Sequence, residues 1–120
     1  MLIFHHPFIK NKQFYKVTSV NEIKNTPPNS IILSDFKKEI ITYAQAQQLT
    51  FAINVTTIVE LVLVAASHAS FLVVNKDFAT TAQQIADDYM YDAKILLIGK
   101  NEEDIEFCAL NGIDGIIFLL

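Results

Sequence analysis

The chain has 120 residues and a mass of 13.5 kDa, with 52% of positions apolar and 18% charged, which excludes a disordered chain and leaves room for one compact domain. Its nine basic residues are all lysine against thirteen acids, giving a formal net charge of −4; without arginine or a basic footprint, nucleic acid is not an expected partner. The charge is uneven: residues 1–30 hold four lysines and Glu22, net +3, and residues 31–120 hold five lysines and twelve acids, net −7, which sets the first segment against the acidic remainder of its own chain or of a neighbour.

A folded chain of this mass exposes about 6,500 Å² against about 20,000 Å² when open, so it can bury a core unaided. The single Cys108 cannot form an internal disulfide, which fits a reducing cytoplasm. Met1 to Pro7 does not read as an export signal. The longest apolar stretch, Ile58 to Val74, is interrupted by Glu60, Ser67, His68 and Ser70 and is too short to span a bilayer, so no membrane partner is expected.

In chain order, Leu2 to Phe4 reads as a short strand cut off at His6-Pro7, Phe14 to Thr18 as a second strand, and Val20 to Asn25 as a short helix. Thr26-Pro27-Pro28-Asn29-Ser30 is the connector. Apolar runs then recur at Ile31 to Leu33, Phe51 to Ile53, Phe71 to Val74, Ile95 to Ile98 and Ile116 to Leu119. They do not alternate with polar residues, as strands covered on both faces require.

The intervals have helical spacing. Phe36, Ile40, Ile41 and Ala44 share one face; Phe78, Ala82, Ile85, Ala86 and Tyr89 share another; Ile105, Cys108 and Ala109 form a third. Ser19 with Glu22, Thr57 with Glu60 and Thr80 with Gln83 have capping-box spacing, while Asp35, Asp77 and Asn101 are candidate N-caps. Asn111-Gly112 supplies a helix stop, and Asp114-Gly115 turns into the last strand.

The pattern predicts a single α/β domain over 1–120, with 1–30 a less regular segment packed on the βα repeat of 31–120. The expected fold is an open doubly wound parallel sheet of five or six strands with helices on both faces, a three-layer sandwich. The alternative is half of a (β/α)8 barrel that completes itself by pairing, for which Asn111 to Phe118 would suit a helix-to-strand connection.

Either closure gathers ligands beyond the carboxyl ends of the strands. That rule nominates Asn54, Thr57, Asn75, Lys76 and Lys100 as ligand-binding residues for a small anion, in competition with simple helix capping. Asp35 and Lys76 are the candidate catalytic pair, an acid/base and an amine or anion clamp. With only Gly99, Gly112 and Gly115 in the chain, neither a dinucleotide fingerprint nor a phosphate loop can be written, and no cofactor is expected. Adjacent His5 and His6 point to opposite sides if extended, so no metal site is expected. His68 suits a helix end, and Cys108 reads as core packing.

The helix from Thr57 to Ser67 is apolar around its circumference after Glu60, so something must cover its outer side. A homodimer formed through this helix, or through Phe118-Leu119-Leu120, is the expectation; a wrap by residues 1–30 is the other covering. Two functions follow: a cytoplasmic binding or assembly module that takes a small anion at the strand ends, or a small lyase or isomerase acting on a phosphorylated or carboxylated metabolite.

Overall fold

The computed structural model describes residues 1–119. Its elements are β1 (Leu2–Phe4), β2 (Phe14–Lys16), α1 (Val20–Lys24), β3 (Ile31–Asp35), α2 (Lys38–Ala46), β4 (Phe51–Asn54), α3 (Ile58–Ala66), β5 (Phe71–Val74), α4 (Lys76–Asp88), β6 (Lys94–Gly99), α5 (Glu103–Asn111) and β7 (Gly115–Phe118). Every apolar run of the sequence became a strand. All strand pairs are parallel, and the spatial order is β1-β7-β6-β5-β4-β3-β2.

That order corrects the doubly wound expectation. The sheet has seven strands rather than five or six, because β1 and β2 both join it. From β2 to β7 each new strand adds on the same side of its predecessor, and right-handed crossovers then place successive helices on one face. The buried side chains separate accordingly. One cluster unites the helices with the strand side chains Ile32, Ile53, Leu72, Ile95 and Ile116. The other draws on strands alone, with Phe4, Phe14, Ile31, Leu33, Ala52, Val73, Leu96 and Ile117.

A sheet with an apolar face and no helices to cover it must bury that face against itself. It does so by curling into a half-barrel, the alternative expected from the sequence, and the described residues form no third layer. The overall dimensions, 38 × 32 × 19 Å, describe a disc whose short axis suits the strand length. Phe4 of β1 and Phe14 of β2 belong to opposite edges of the sheet, yet their ring centroids are 4.8 Å apart. Both rings also pack on Phe71 of β5, at 5.5 and 5.4 Å. The seam between the two edge strands is held by side chains in place of a strand ladder: His5 Nε2 accepts the Phe14 N–H at 3.1 Å, and Asn11 Nδ2 donates to the Ile3 carbonyl at 2.7 Å. Edge groups that would otherwise solicit another strand are thereby occupied.

Local signals behave unevenly. Thr57 caps α3 by accepting the Glu60 N–H at 3.2 Å, and Ser19 does the same for Glu22 at the start of α1. Gly112 closes α5 at φ 63°, the left-handed conformation that glycine adopts without penalty. Gly115 begins β7 where a Cβ would stand 2.7 Å from the Leu2 carbonyl, so β1 can approach only a glycine there. Thr80 with Gln83 is not a cap. Both lie inside α4, and buried Gln83 instead accepts the Asp114 N–H at 2.8 Å, tying α4 to the turn before β7. The N-cap positions fall at Lys37, Asn75 and Glu102 rather than at Asp35, Asp77 and Asn101. Tyr89 and Ala109, placed on apolar stripes by spacing, are exposed.

Candidate functional site

The parallel sheet brings all strand carboxyl ends to one rim of the disc, and the sequence-nominated residues lie along it. They form separate groups. At the ends of β2, β3 and β4, Asp35 Oδ1 accepts from Lys16 Nζ at 3.1 Å and from Asn54 Nδ2 at 2.9 Å. The Asn54 amide first, and then Lys16, hold the Asp35 carboxyl below the usual carboxylate range. Asn54 Oδ1 is the one buried side-chain polar atom without a hydrogen-bond partner among the described residues.

Lys76 is not in that group. It starts α4 and reaches across to α5, where its Nζ donates to Asp104 Oδ1 at 3.1 Å and stands 4.9 Å from the centre of the Phe107 ring. Asp104 Oδ2 also accepts the Lys100 backbone N–H at 2.8 Å, so this buried carboxylate both closes the β6–α5 turn and anchors Lys76. The Lys100 N–H is the main cause of a lowered Asp104 pKa; Lys76 reinforces it and burial opposes it. Asp35 and Lys76 thus have different partners. Thr57 serves as an N-cap, and Asn75 occupies the N-cap position of α4 without a side-chain cap bond.

Sequence reasoning passed over a third place on the rim, at the ends of β1 and β7. His5, His6, Ile9, Lys10, Gln13, Glu102 and Phe118 line a cleft of about 730 Å³ together with Pro7 and Asn11. The expectation that His5 and His6 diverge assumed extended backbone; His5 instead has φ 63°, and both residues line the same cleft. His6 Nδ1 accepts the Phe8 N–H at 3.2 Å, which leaves the proton of a neutral ring on Nε2, facing Glu102 Oε1 at 3.3 Å. Its ring packs beside Phe8 and Phe118. The available signal was the His-His-Pro sequence itself, a strand end carrying two imidazoles just before a forced turn.

No group of three or more His, Cys, Asp or Glu side chains suited to a metal occurs among the described residues. Cys108 is buried in the cluster that unites helices and sheet, and desolvation first, then the nearby Asp104 charge, pushes its thiol up to about 11. A thiol so protonated is a packing group rather than a nucleophile. No helix among the described residues is long and apolar enough to cross a membrane. The chain matches no model of a known protein family and no curated protein sequence, so its geometry alone carries the functional reading.

Proposed function

We propose that the chain is an assembly module that pairs with a second copy of itself through α3. The carrying observation is the outward face of that helix: Ile58, Val59, Val62 and Leu63 are 50%, 68%, 44% and 55% exposed, while Leu61 and Val64 hold the helix to the sheet. Glu60 is the only charged residue in α3. Residues 1–30 do not cover this face, since they supply β1, β2 and α1 at the edges of the sheet. The other interface expected from the sequence is less suited: Phe118 and Leu119 are half-buried against the core, and Leu120 lies outside the described residues.

Beyond the end of α3, a separate groove of about 560 Å³ mixes Ala66 and the exposed Met90 with the polar His68, Ser70 and Asp92, so the apolar face is that of α3 itself. An exposed apolar face of this kind marks an interaction site, and a two-fold axis would set the same helix of each copy against the other. Burying the exposed half of each aliphatic side chain contributes roughly 1 kcal/mol. This reading is favoured over a lyase or isomerase because Asp35 and Lys76 belong to different polar groups. It is favoured over anion capture at Asn54, Thr57, Asn75, Lys76 and Lys100 because most of these already hold structural contacts.

Sedimentation equilibrium over a concentration series tests the reading. A dimer is expected for the native chain, and a monomer with an unchanged circular dichroism spectrum for Val59→Glu with Leu63→Glu. A native chain that stays monomeric at about 1 mM, where even a weak pairing of about −4 kcal/mol would show, rejects it, as does a double variant that still dimerises.

A further inference from the structure

We propose that the cleft at the ends of β1 and β7 binds a zwitterionic amino acid with an apolar side chain. The inference is independent of pairing through α3. Its volume of about 730 Å³ falls within the range of small-molecule sites, and the carboxyl ends of parallel strands are where such ligands collect in curled α/β sheets.

The chemistry of the lining selects the class. Lys10 has no carboxylate within ion-pair distance among the described residues, so its ammonium is a free cation at one part of the cleft. Glu102 enters the lining from the turn after β6 and Lys10 from the connection between β1 and β2, and the two are not ion-paired with each other. The Glu102 carboxylate is 78% exposed and receives a hydrogen bond from His6. His6 is its one partner among the described residues, so a carboxylate this exposed has room for a ligand ammonium as well. His5 Nε2 accepts the Phe14 N–H, so Nδ1 is the ring nitrogen left for a ligand.

Among the described residues the cleft therefore presents one cation without an ion-pair partner, an imidazole nitrogen of His5, one carboxylate with a single hydrogen bond, and an apolar wall from Phe118 and Ile9. A ligand carrying only a carboxylate would meet Glu102 unpaired. One carrying only an amine would meet Lys10 unpaired. An amino acid satisfies both, its carboxylate towards Lys10 and His5, its ammonium towards Glu102, its side chain against Phe118. His5, with its backbone at φ 63°, and His6 both line this wall.

The test uses three related probes, L-phenylalanine, phenylpropionate and phenethylamine, titrated into the native chain while backbone amide shifts are followed by NMR. Phenylalanine is expected to saturate with shifts at His5, His6, Gln13 and Phe118, and to bind at least about tenfold more tightly than either singly charged probe. Lys10→Gln should reduce phenylalanine to the level of phenethylamine. Glu102→Gln keeps an acceptor for His6 and should reduce it to the level of phenylpropionate. Equal affinity for the three probes, shifts confined to other parts of the molecule, or no saturable shift below roughly 50 mM overturns the proposal. The mass of the assembly, measured separately, reports on α3 alone.

Discussion

Asp104 and Asp35 both sit where a strand gives way to a helix, and both accept a lysine ammonium at 3.1 Å. Their side chains are 8% and 63% exposed. Asp104 spreads its two oxygens over Lys76 and the Lys100 backbone N–H, while Asp35 uses one oxygen for both Lys16 and Asn54. Equal distances therefore describe unequal interactions. Around Asp104 water is largely excluded and a backbone donor depends on the carboxylate; around Asp35 solvent stands ready to replace either partner.

The comparison is broken most directly by truncation. Asp104→Ala is expected to cost about 2–3 kcal/mol in guanidinium unfolding, because it strands the Lys100 N–H and frees Lys76 together. Asp35→Ala is expected to cost less than about 1 kcal/mol. Similar losses at the two positions would mean that burial does not separate them.

Acid sharpens the contrast. The folded Asp104 carboxyl lies below its ordinary value, so the unfolded chain takes up its proton first. Its contribution is complete above the ordinary carboxylate range and disappears as pH falls through the lowered folded value. Asp104→Asn should therefore flatten the acid limb of the stability profile, and an unchanged limb would assign acid sensitivity to other groups. The smallest effect is that of salt. Near 1 M, where screening acts within about 3 Å, the difference between native chain and Asp35→Ala should shrink towards zero while that for Asp104→Ala persists. Parallel decay of both differences would place Asp104 in solvent.

Legibility in the sequence follows the range of the interaction. Thr57 with Glu60 and Gly112 after α5 act within a few residues, and both could be read directly. Thr80 with Gln83 has the same spacing as a true capping box, but the helix had already begun at Lys76, and Gln83 found its partner 31 residues away at Asp114. Lys76 is the sharpest case for the site. Its position after β5 was evident, yet its direction was set by Asp104, 28 residues further on. The cleft was hidden for a related reason: His5, Lys10, Glu102 and Phe118 come from both ends of the chain and meet only because β1 pairs with β7.

The sequence by itself determined that five non-alternating apolar runs would be buried parallel strands separated by helices, because apolar character and helical period are local properties that no distant contact needs to supply. It also contained the unmatched apolar face of α3. Only the tertiary structure decided that successive strands add in one direction, that the helices consequently share a face, and that the bare face closes on Phe4, Phe14 and Phe71. Strand order depends on which edge each new strand joins, a choice made by the packing of the whole sheet, and from that choice came both the curl and the rim on which the polar groups were sorted.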